Sequence, residues 1–211
     1  MINVLFAARQ DRWPAYEGPL KTAIEAAGLT VNLGTDIAAD QVDYIVYAPN
    51  SDIKDFSPFT RAKAVLNLWA GVEGIVGNAT LKLPLTRMVD PGLTQGMVEW
   101  VLGHAMRFHL GMDAHIHAPA GTWEPKAPPL TWDRRVTVLG LGELGAACAQ
   151  HLAQVGFPVT GWARSQKDLD GITCLSGEDG LQSALSTADI CVLLLPDTAA
   201  TTNILNTKTL Q

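Results

Sequence analysis

VTVLGLGELGAACAQHL, residues 136–152, decides the fold of this chain. An apolar strand pattern runs into three glycines, and the segment after them has the apolar spacing of a helix. Gly140, Gly142 and Gly145 match G-x-G-x-x-G, which between a strand and a helix is typical of dinucleotide-binding sites. Gly140 would permit the tight turn, Gly142 would leave room for a pyrophosphate, and Gly145 would let the helix approach the strand. The alternative is that the glycines serve packing alone.

The start of that helix is the second part of the predicted site. Backbone N–H groups near Glu143 and Leu144 have no partner inside the helix, and the helix dipole places partial positive charge there. Both features favour a phosphate group at this point.

The end of the following strand predicts which dinucleotide is preferred. NAD-binding sites place an acid there to hold the ribose 2′-hydroxyl, but residues 146–164 contain no Asp or Glu. Arg164 stands in that place, followed by Ser165 and Lys167. Arginine binds a 2′-phosphate through two hydrogen bonds, which predicts NADP(H) in preference to NAD(H). The alternative is that this basic segment is an ordinary solvated loop.

The rest of the chain alternates strand and helix patterns. This alternation predicts an α/β fold of two Rossmann-like or flavodoxin-like parallel-sheet units, of which the second is an incomplete dinucleotide-binding domain. The units are placed at residues 1–95 and 96–211, with one long helix at 94–117. A Pro- and Trp-rich arm follows at 118–134. Its Trp123 and Trp132 either anchor a partner subunit or pack on their own domain.

Composition narrows the functional classes. The 211 residues carry a net charge of -6, which argues against nucleic-acid and anionic-membrane surfaces. No apolar run reaches the length of a membrane span, and the N-terminus is predicted as a strand without a basic leader, so we expect a cytoplasmic protein. Cys148, Cys174 and Cys191 are predicted to be buried reduced thiols rather than reactive ones. The pair His115 and His117 has no supporting acids or cysteines, so no metal site is predicted.

Several segments carry a family resemblance in chain order: LNLWAGVEGI, LTRMVDPGLTQGMVEWVLG, WEPKAP, VTVLGLGELGAACAQHL, VTGWARS and VLLLPDTAATTNIL. Together they resemble the D-isomer-specific 2-hydroxyacid dehydrogenases, and most closely their glyoxylate/hydroxypyruvate reductase A group. The resemblance implies a homodimer that reduces a small 2-keto acid by hydride transfer from a nicotinamide cofactor. It assigns residues 1–95 to a substrate-binding domain and 96–211 to an NAD(P)-binding domain.

The resemblance also implies site residues. The substrate carboxylate would be held by the backbone of a turn formed by Trp69, Ala70, Gly71 and Val72, with Tyr47 bordering the substrate. A helix start at Met97 would lie near the nicotinamide, and Arg87 and Asp90 would form a structural ion pair. The full set of expected cofactor contacts is Met97, Gly140, Gly142, Glu143, Leu144, Gly145, Trp162, Arg164, Ser165, Leu195, Pro196 and Thr198.

The catalytic residues of the family have no match in this chain. Family members use an Arg, a Glu and a His that we expect beyond Gln211, and none of the five histidines lies in the corresponding segment. We therefore interpret the chain as truncated after its fourth Rossmann strand, without the return segment of the first unit. The apolar strand at 190–195 should then have one unpaired edge, and the chain should bind NADP(H) weakly and not turn over. The alternatives are a non-catalytic dinucleotide-binding module or scaffold, and a structural fragment.

Overall fold

The computed structural model describes residues 1–123 and 125–210. The chain divides into two compact units, Met1–Met88 and Val89–Gln211. The boundary drawn from the sequence, after residue 95, falls inside a helix that spans Pro91–His109. The assignment of the units to substrate and cofactor stays a prediction.

The first unit is built on a five-stranded parallel sheet in the order β2-β1-β3-β4-β5. This order is that of flavodoxin-like folds, in which the chain adds strands first on one side of β1 and then on the other. Its elements are β1 (Ile2–Ala7), α1 (Trp13–Ala26), β2 (Val31–Gly34), β3 (Tyr44–Tyr47), β4 (Ala64–Asn67) and β5 (Leu85–Thr86).

Side chains alternate between the two faces of that sheet, and each face has its own core. On one face, Leu5, Ile45 and Val65 are buried together with Phe56 and Ile75. On the other face, α1 packs on the sheet, and the cluster is formed by Val4, Phe6, Val46, Trp13, Tyr16 and Leu20. The sheet is therefore covered on both sides, as expected for parallel strands.

The second unit has a four-stranded parallel sheet in the order β8-β7-β6-β9. Val136 and Val138 of the central strand are fully buried against Cys148 and Leu152 of the following helix. The elements of this unit are α2 (Pro91–His109), α3 (Met112–Ile116), β6 (Val136–Leu139), α4 (Glu143–Val155), β7 (Val159–Ala163), β8 (Thr173–Ser176), α5 (Gly177–Ser186) and β9 (Ile190–Leu193). The α/β class and the two parallel-sheet units predicted from the sequence are confirmed.

The prediction of one helix over 94–117 is wrong at both ends. The helix α2 begins earlier, because Pro91 occupies its first position and the Asp90 carboxylate accepts a hydrogen bond from the Leu93 N–H at 2.8 Å. Asp90 is thus a helix cap rather than half of the expected ion pair, and Met97 lies in the second turn. The helix ends at His109 because Gly111 adopts a left-handed conformation with φ of 63°, after which α3 begins.

The described residues of the arm, 118–123 and 125–134, are mostly exposed. Trp123 and Trp132 are 86% and 64% accessible, so neither indole packs on its own domain. That alternative is therefore wrong, and the anchoring of a partner subunit stays a prediction.

The strand β9 lies at one end of the second sheet. It pairs with β6 on one side, and within residues 1–123 and 125–210 no strand pairs with its other side.

The predicted burial of all three thiols is wrong, because Cys191 on β9 is exposed and Cys174 is half-buried. Only Cys148 is fully enclosed, and burial raises the pKa of its thiol.

Candidate functional site

The turn between β6 and α4 depends on Gly140. Its φ is +105°, a conformation that side chains with a Cβ rarely adopt, and its N–H donates to the Trp162 carbonyl at 2.8 Å. A Cβ at this position would lie 2.7 Å from the Leu194 carbonyl oxygen and 3.1 Å from the Leu195 side chain. The glycine thus brings the turn against the segment that follows β9.

Gly145 answers a different geometric requirement. A Cβ added there would lie 1.7 Å from the carbonyl oxygen of Gly140, which is far inside van der Waals contact. The first turn of α4 therefore rests directly on the backbone of the preceding turn, and only glycine permits that approach.

Gly142 leaves open space. It is the N-cap of α4, no side chain caps the helix, and a Cβ built on it meets nothing within 4 Å. The first N–H to bond within the helix is that of Ala146, which donates to the Gly142 carbonyl at 2.9 Å. The amides of Glu143, Leu144 and Gly145 precede it, so polar N–H groups and the positive end of the helix dipole face this space. These features fit a pyrophosphate group.

The loop after β7 carries Arg164 and Ser165, the residues that the sequence predicted to bind a 2′-phosphate. Arg164 and Ser165 are exposed immediately after the strand ends at Ala163. None of the ion pairs formed within the described part of the chain involves Arg164. The guanidinium group is therefore available for an anionic ligand.

Trp162 lies in the core beneath this loop. Its side chain is 8% exposed, packs with Leu139 and Ala184, and donates from Nε1 to the Gly177 carbonyl at 2.8 Å. A cofactor contact by this side chain stays a prediction that its packing does not favour.

The segment after β9 borders the glycine turn. Leu195 is half-buried in the same cluster as Leu139, while Pro196 and Thr198 are exposed. The Thr198 hydroxyl lies 2.9 Å from that of Thr201, and the carbonyl of Thr198 accepts from the Thr201 and Thr202 amides. The structure brings Leu194 and Leu195 against Gly140, and this compact turn follows them in the chain. Met97, in contrast, packs half-buried against the core of the second unit.

In the first unit, Asn67 organises the turn at residues 69–72. Its Nδ2 donates to the Trp69 carbonyl at 2.9 Å and to the Gly71 carbonyl at 3.0 Å. Asn67 is 5% exposed, and within residues 1–123 and 125–210 its buried Oδ1 accepts no hydrogen bond. The sequence analysis missed this residue, because its role depends on where the Trp69 and Gly71 carbonyls point in the folded turn.

Two observations bear on the predicted carboxylate site. The Glu73 carboxylate oxygen lies 2.7 Å from where a Cβ of Gly71 would stand, so a negative charge already borders this turn and does not favour a second carboxylate there. Tyr47 is 2% exposed, with its ring against Phe56 and its hydroxyl 3.4 Å from the Ile53 carbonyl. Burial raises the pKa of Tyr47, and the ring is part of the core. Contact between Tyr47 and a substrate stays a prediction, and this burial does not favour it.

Residues 1–123 and 125–210 contain neither a candidate metal site nor a membrane-spanning helix. No three His, Cys, Asp or Glu side chains come together there in a way that could hold a metal ion. In the same residues, no helix is both long and apolar enough to cross a membrane.

Comparison with known proteins identifies relatives of both units. Residues 101–211 match the family model described as D-isomer specific 2-hydroxyacid dehydrogenase, NAD binding domain. A glyoxylate/hydroxypyruvate reductase A from Yersinia enterocolitica is 32% identical over 152 residues, which cover 68% of this chain and 49% of that relative. The chain spans about half the length of the curated relatives that it matches.

Solved structures are similar along the whole chain. A D-isomer specific 2-hydroxyacid dehydrogenase from Xanthobacter autotrophicus, in complex with NADPH and MES, has a TM-score of 0.86 at 32% identity. An NADPH-dependent glyoxylate/hydroxypyruvate reductase from Sinorhizobium meliloti, in complex with NADP and sulfate, has a TM-score of 0.78 at 30% identity. Each similarity covers 99% of this chain and 67% of the solved chain.

Proposed function

This chain belongs to the D-isomer specific 2-hydroxyacid dehydrogenase family, and we propose from that membership that it serves the NADP(H)-dependent reduction of small 2-keto acids to 2-hydroxy acids. Glyoxylate and hydroxypyruvate are the proposed substrates, because the similar curated proteins are reductases named for them. The observation that carries the proposal is the open space at Gly142 in front of the uncapped start of α4.

The proposed roles follow from chemistry at each position. Gly142 and the amides of residues 143–145 hold the pyrophosphate, while Arg164 and Ser165 hold the 2′-phosphate. Leu195, Pro196 and Thr198 border the adenosine side, and the turn at residues 69–72 receives the substrate carboxylate. When bound, the nicotinamide supplies the hydride. The first unit, Met1–Met88, is the proposed substrate-binding domain, and the second unit, Val89–Gln211, is the proposed cofactor-binding domain.

No described residue is assigned the general acid. His109 is 4% exposed, and the Nδ1 of His151 lies 2.8 Å from the Ala147 carbonyl within its own helix, so neither is placed to protonate a substrate. The chain is therefore proposed to bind cofactor without completing the reaction alone. An NADPH-oxidation assay with glyoxylate and hydroxypyruvate checks this, and turnover comparable to that of a complete relative would contradict it.

Cofactor preference is tested by titrating NADPH and NADH into the wild type and into Arg164→Ala. Because a hydrogen bond to a charged group contributes about 1.5–3 kcal/mol, the variant should bind NADPH about 10- to 100-fold more weakly. Its affinity for NADH should not change, and neither affinity should change in the control Arg12→Ala. Equal binding of both cofactors to the wild type would remove the NADP(H) preference.

A second candidate is a dinucleotide-binding module or scaffold without catalysis. Two observations favour it: the glycine turn is complete, and no described residue is assigned as the general acid. Both candidates predict that the chain, assayed without any other polypeptide, binds NADPH and does not turn over. Activity that appears when a longer form of the chain is assayed distinguishes the reductase from the scaffold.

A further inference from the structure

The side chain of Gln166 joins the loop after β7 to the neighbouring strand. Its Nε2 donates to the Cys174 carbonyl at 3.0 Å and to the Lys167 carbonyl at 3.0 Å. Its Oε1 accepts a hydrogen bond from the Ser176 hydroxyl at 3.0 Å. Both ends of one amide are therefore used to connect a loop that begins at Arg164 to β8.

Ser176 is an independent indication that this connection is specific. It occupies the N-cap of α5, where a Ser hydroxyl usually accepts a hydrogen bond from the first turn of the helix. Here the side chain caps nothing and donates to Gln166 instead. The Ser176 hydroxyl therefore stabilises the loop through Gln166 and does not cap the start of α5.

Backbone pairing cannot hold this loop by itself. The ladder between β7 and β8 ends with Ala163 opposite Ser176, and Arg164 and Ser165 follow with no strand partner. Before them in the chain, the Trp162 Nε1 donates to the Gly177 carbonyl and so connects the end of β7 to the start of α5. The Gln166 side chain is the next connection along the chain, two residues beyond Arg164.

We propose that Gln166 is a positioning residue for cofactor specificity, which fixes the loop so that Arg164 and Ser165 are presented to the 2′-phosphate of NADP(H). This inference rests on the function proposed above. A loop held in its binding conformation loses less conformational freedom when the phosphate binds, so affinity is gained without direct contact. Glutamine fits this role because a carboxylate could not donate to the two carbonyls.

The first test needs no ligand. Arg164 and Lys167 are trypsin sites in an exposed loop, so their cleavage rates report how well the loop is held. Cleavage after these residues should be several-fold faster in Ser176→Ala than in the wild type, although the local sequence around the sites is unchanged. Ser176→Thr, which keeps the hydroxyl, should restore the wild-type rate, and the control Gln182→Ala should not differ from it. Equal rates in Ser176→Ala and the wild type would overturn the inference.

The second test separates this inference from the proposed function. Adenosine 2′,5′-bisphosphate and 5′-AMP are titrated calorimetrically into the wild type, Gln166→Ala, Ser176→Ala and the double variant. Loss of a positioned loop should weaken the bisphosphate about three- to tenfold and leave 5′-AMP unchanged. The double variant should be no weaker than Gln166→Ala, because Ser176 acts through Gln166.

The outcomes are distinct. If Arg164→Ala weakens the bisphosphate and the Gln166 and Ser176 variants do not, the inference fails and the proposed function stands. If the wild type does not prefer the bisphosphate over 5′-AMP, the NADP(H) preference fails and the inference fails with it. Additive losses in the double variant would also overturn the role assigned to Gln166.

Discussion

Single glycines in the turn between β6 and α4 meet different physical limits. A Cβ at position 145 would overlap the Gly140 carbonyl at 1.7 Å, whereas one at position 142 would stand in open space. The same substitution at the two positions should therefore separate stability from binding.

Gly145→Ala should destabilise the second unit, since overpacking against a fixed backbone costs about 1–3 kcal/mol and occasionally more. Gly142→Ala should change the free energy of unfolding little but weaken NADPH binding, because the methyl group would occupy the proposed pyrophosphate space. Urea denaturation and cofactor titration measure the two effects. A Gly142→Ala protein that binds NADPH like the wild type would contradict the placement of the pyrophosphate.

His109 is a second residue whose environment gives a measurable prediction. It is 4% exposed, its ring stands edge-on to Phe157 at 5.1 Å, and its buried Nδ1 has no hydrogen-bond partner among the residues that the structure describes. Burial, with a smaller effect of the nearby Arg134 guanidinium, lowers the pKa of His109 from its usual 6.5. The unfolded chain therefore takes up a proton near pH 6.5 while the folded chain remains neutral at this site.

The contribution of His109 to stability is accordingly present above pH 6.5 and lost as the pH falls toward its lowered folded pKa. His109→Phe keeps an aromatic ring against Phe157 and removes the titration, so its unfolding free energy should decline less between pH 7.5 and pH 5. Urea titrations at several pH values check this, with exposed His104→Gln as the control. Identical pH dependence in the wild type and His109→Phe would count against it.

At the scale of elements, the start of α2 depends on a cap that the sequence analysis did not use. The Asp90 carboxylate accepts the Leu93 N–H, and Pro91 needs no hydrogen bond at the first helical position. Asp90→Ala should cost about 1 kcal/mol of stability, and Asp90→Ser should recover most of it because serine also caps helices. Thermal or urea unfolding of the two variants tests this, and a loss in Asp90→Ser equal to that in Asp90→Ala would argue against capping.

Element types were predictable because strand and helix periods in this chain are clear, but their limits and burial were not. The break in the long helix depends on the conformation of Gly111, and a mid-helix glycine is also compatible with an unbroken helix. The two-residue strand β5 carries no periodic signal of its own. Tyr47 and Trp162 lie near strand ends, where aromatic residues serve both ligand contact and core packing. The sequence could not separate these two roles, and the structure shows that both rings are buried.

The glycine turn was the part of the candidate site that the sequence indicated most directly, because G-x-G-x-x-G between a strand and a helix is a local pattern. Asn67 and Gln166 were not predictable in the same way. Their side chains act through carbonyl groups whose directions depend on the final path of the chain. Polar braces of this kind leave no periodic pattern in a single sequence.

At the scale of the whole molecule, the exposed arm carries the proposal of a homodimer. Two indoles at 86% and 64% accessibility are the large apolar groups that interfaces concentrate near their centres. Trp123→Ala and Trp132→Ala should each raise the dimer dissociation constant by tenfold or more, since interface hot spots cost about 2 kcal/mol or more when truncated. Analytical ultracentrifugation over a concentration series measures this, with exposed Leu29→Ala in the first unit as the control. A monomeric wild type would remove the homodimer proposal.

The contact between Gly140 and Leu194 constrains how this protein can diverge. Leu194 donates its N–H to the Leu139 carbonyl at 2.9 Å, and its own carbonyl fills the space where a Cβ of residue 140 would be. We expect a larger residue at 140 to push the two strand ends apart and weaken that hydrogen bond. Leu194, fifty-four positions further along the chain, therefore disfavours substitution of Gly140, whatever nucleotide the chain binds.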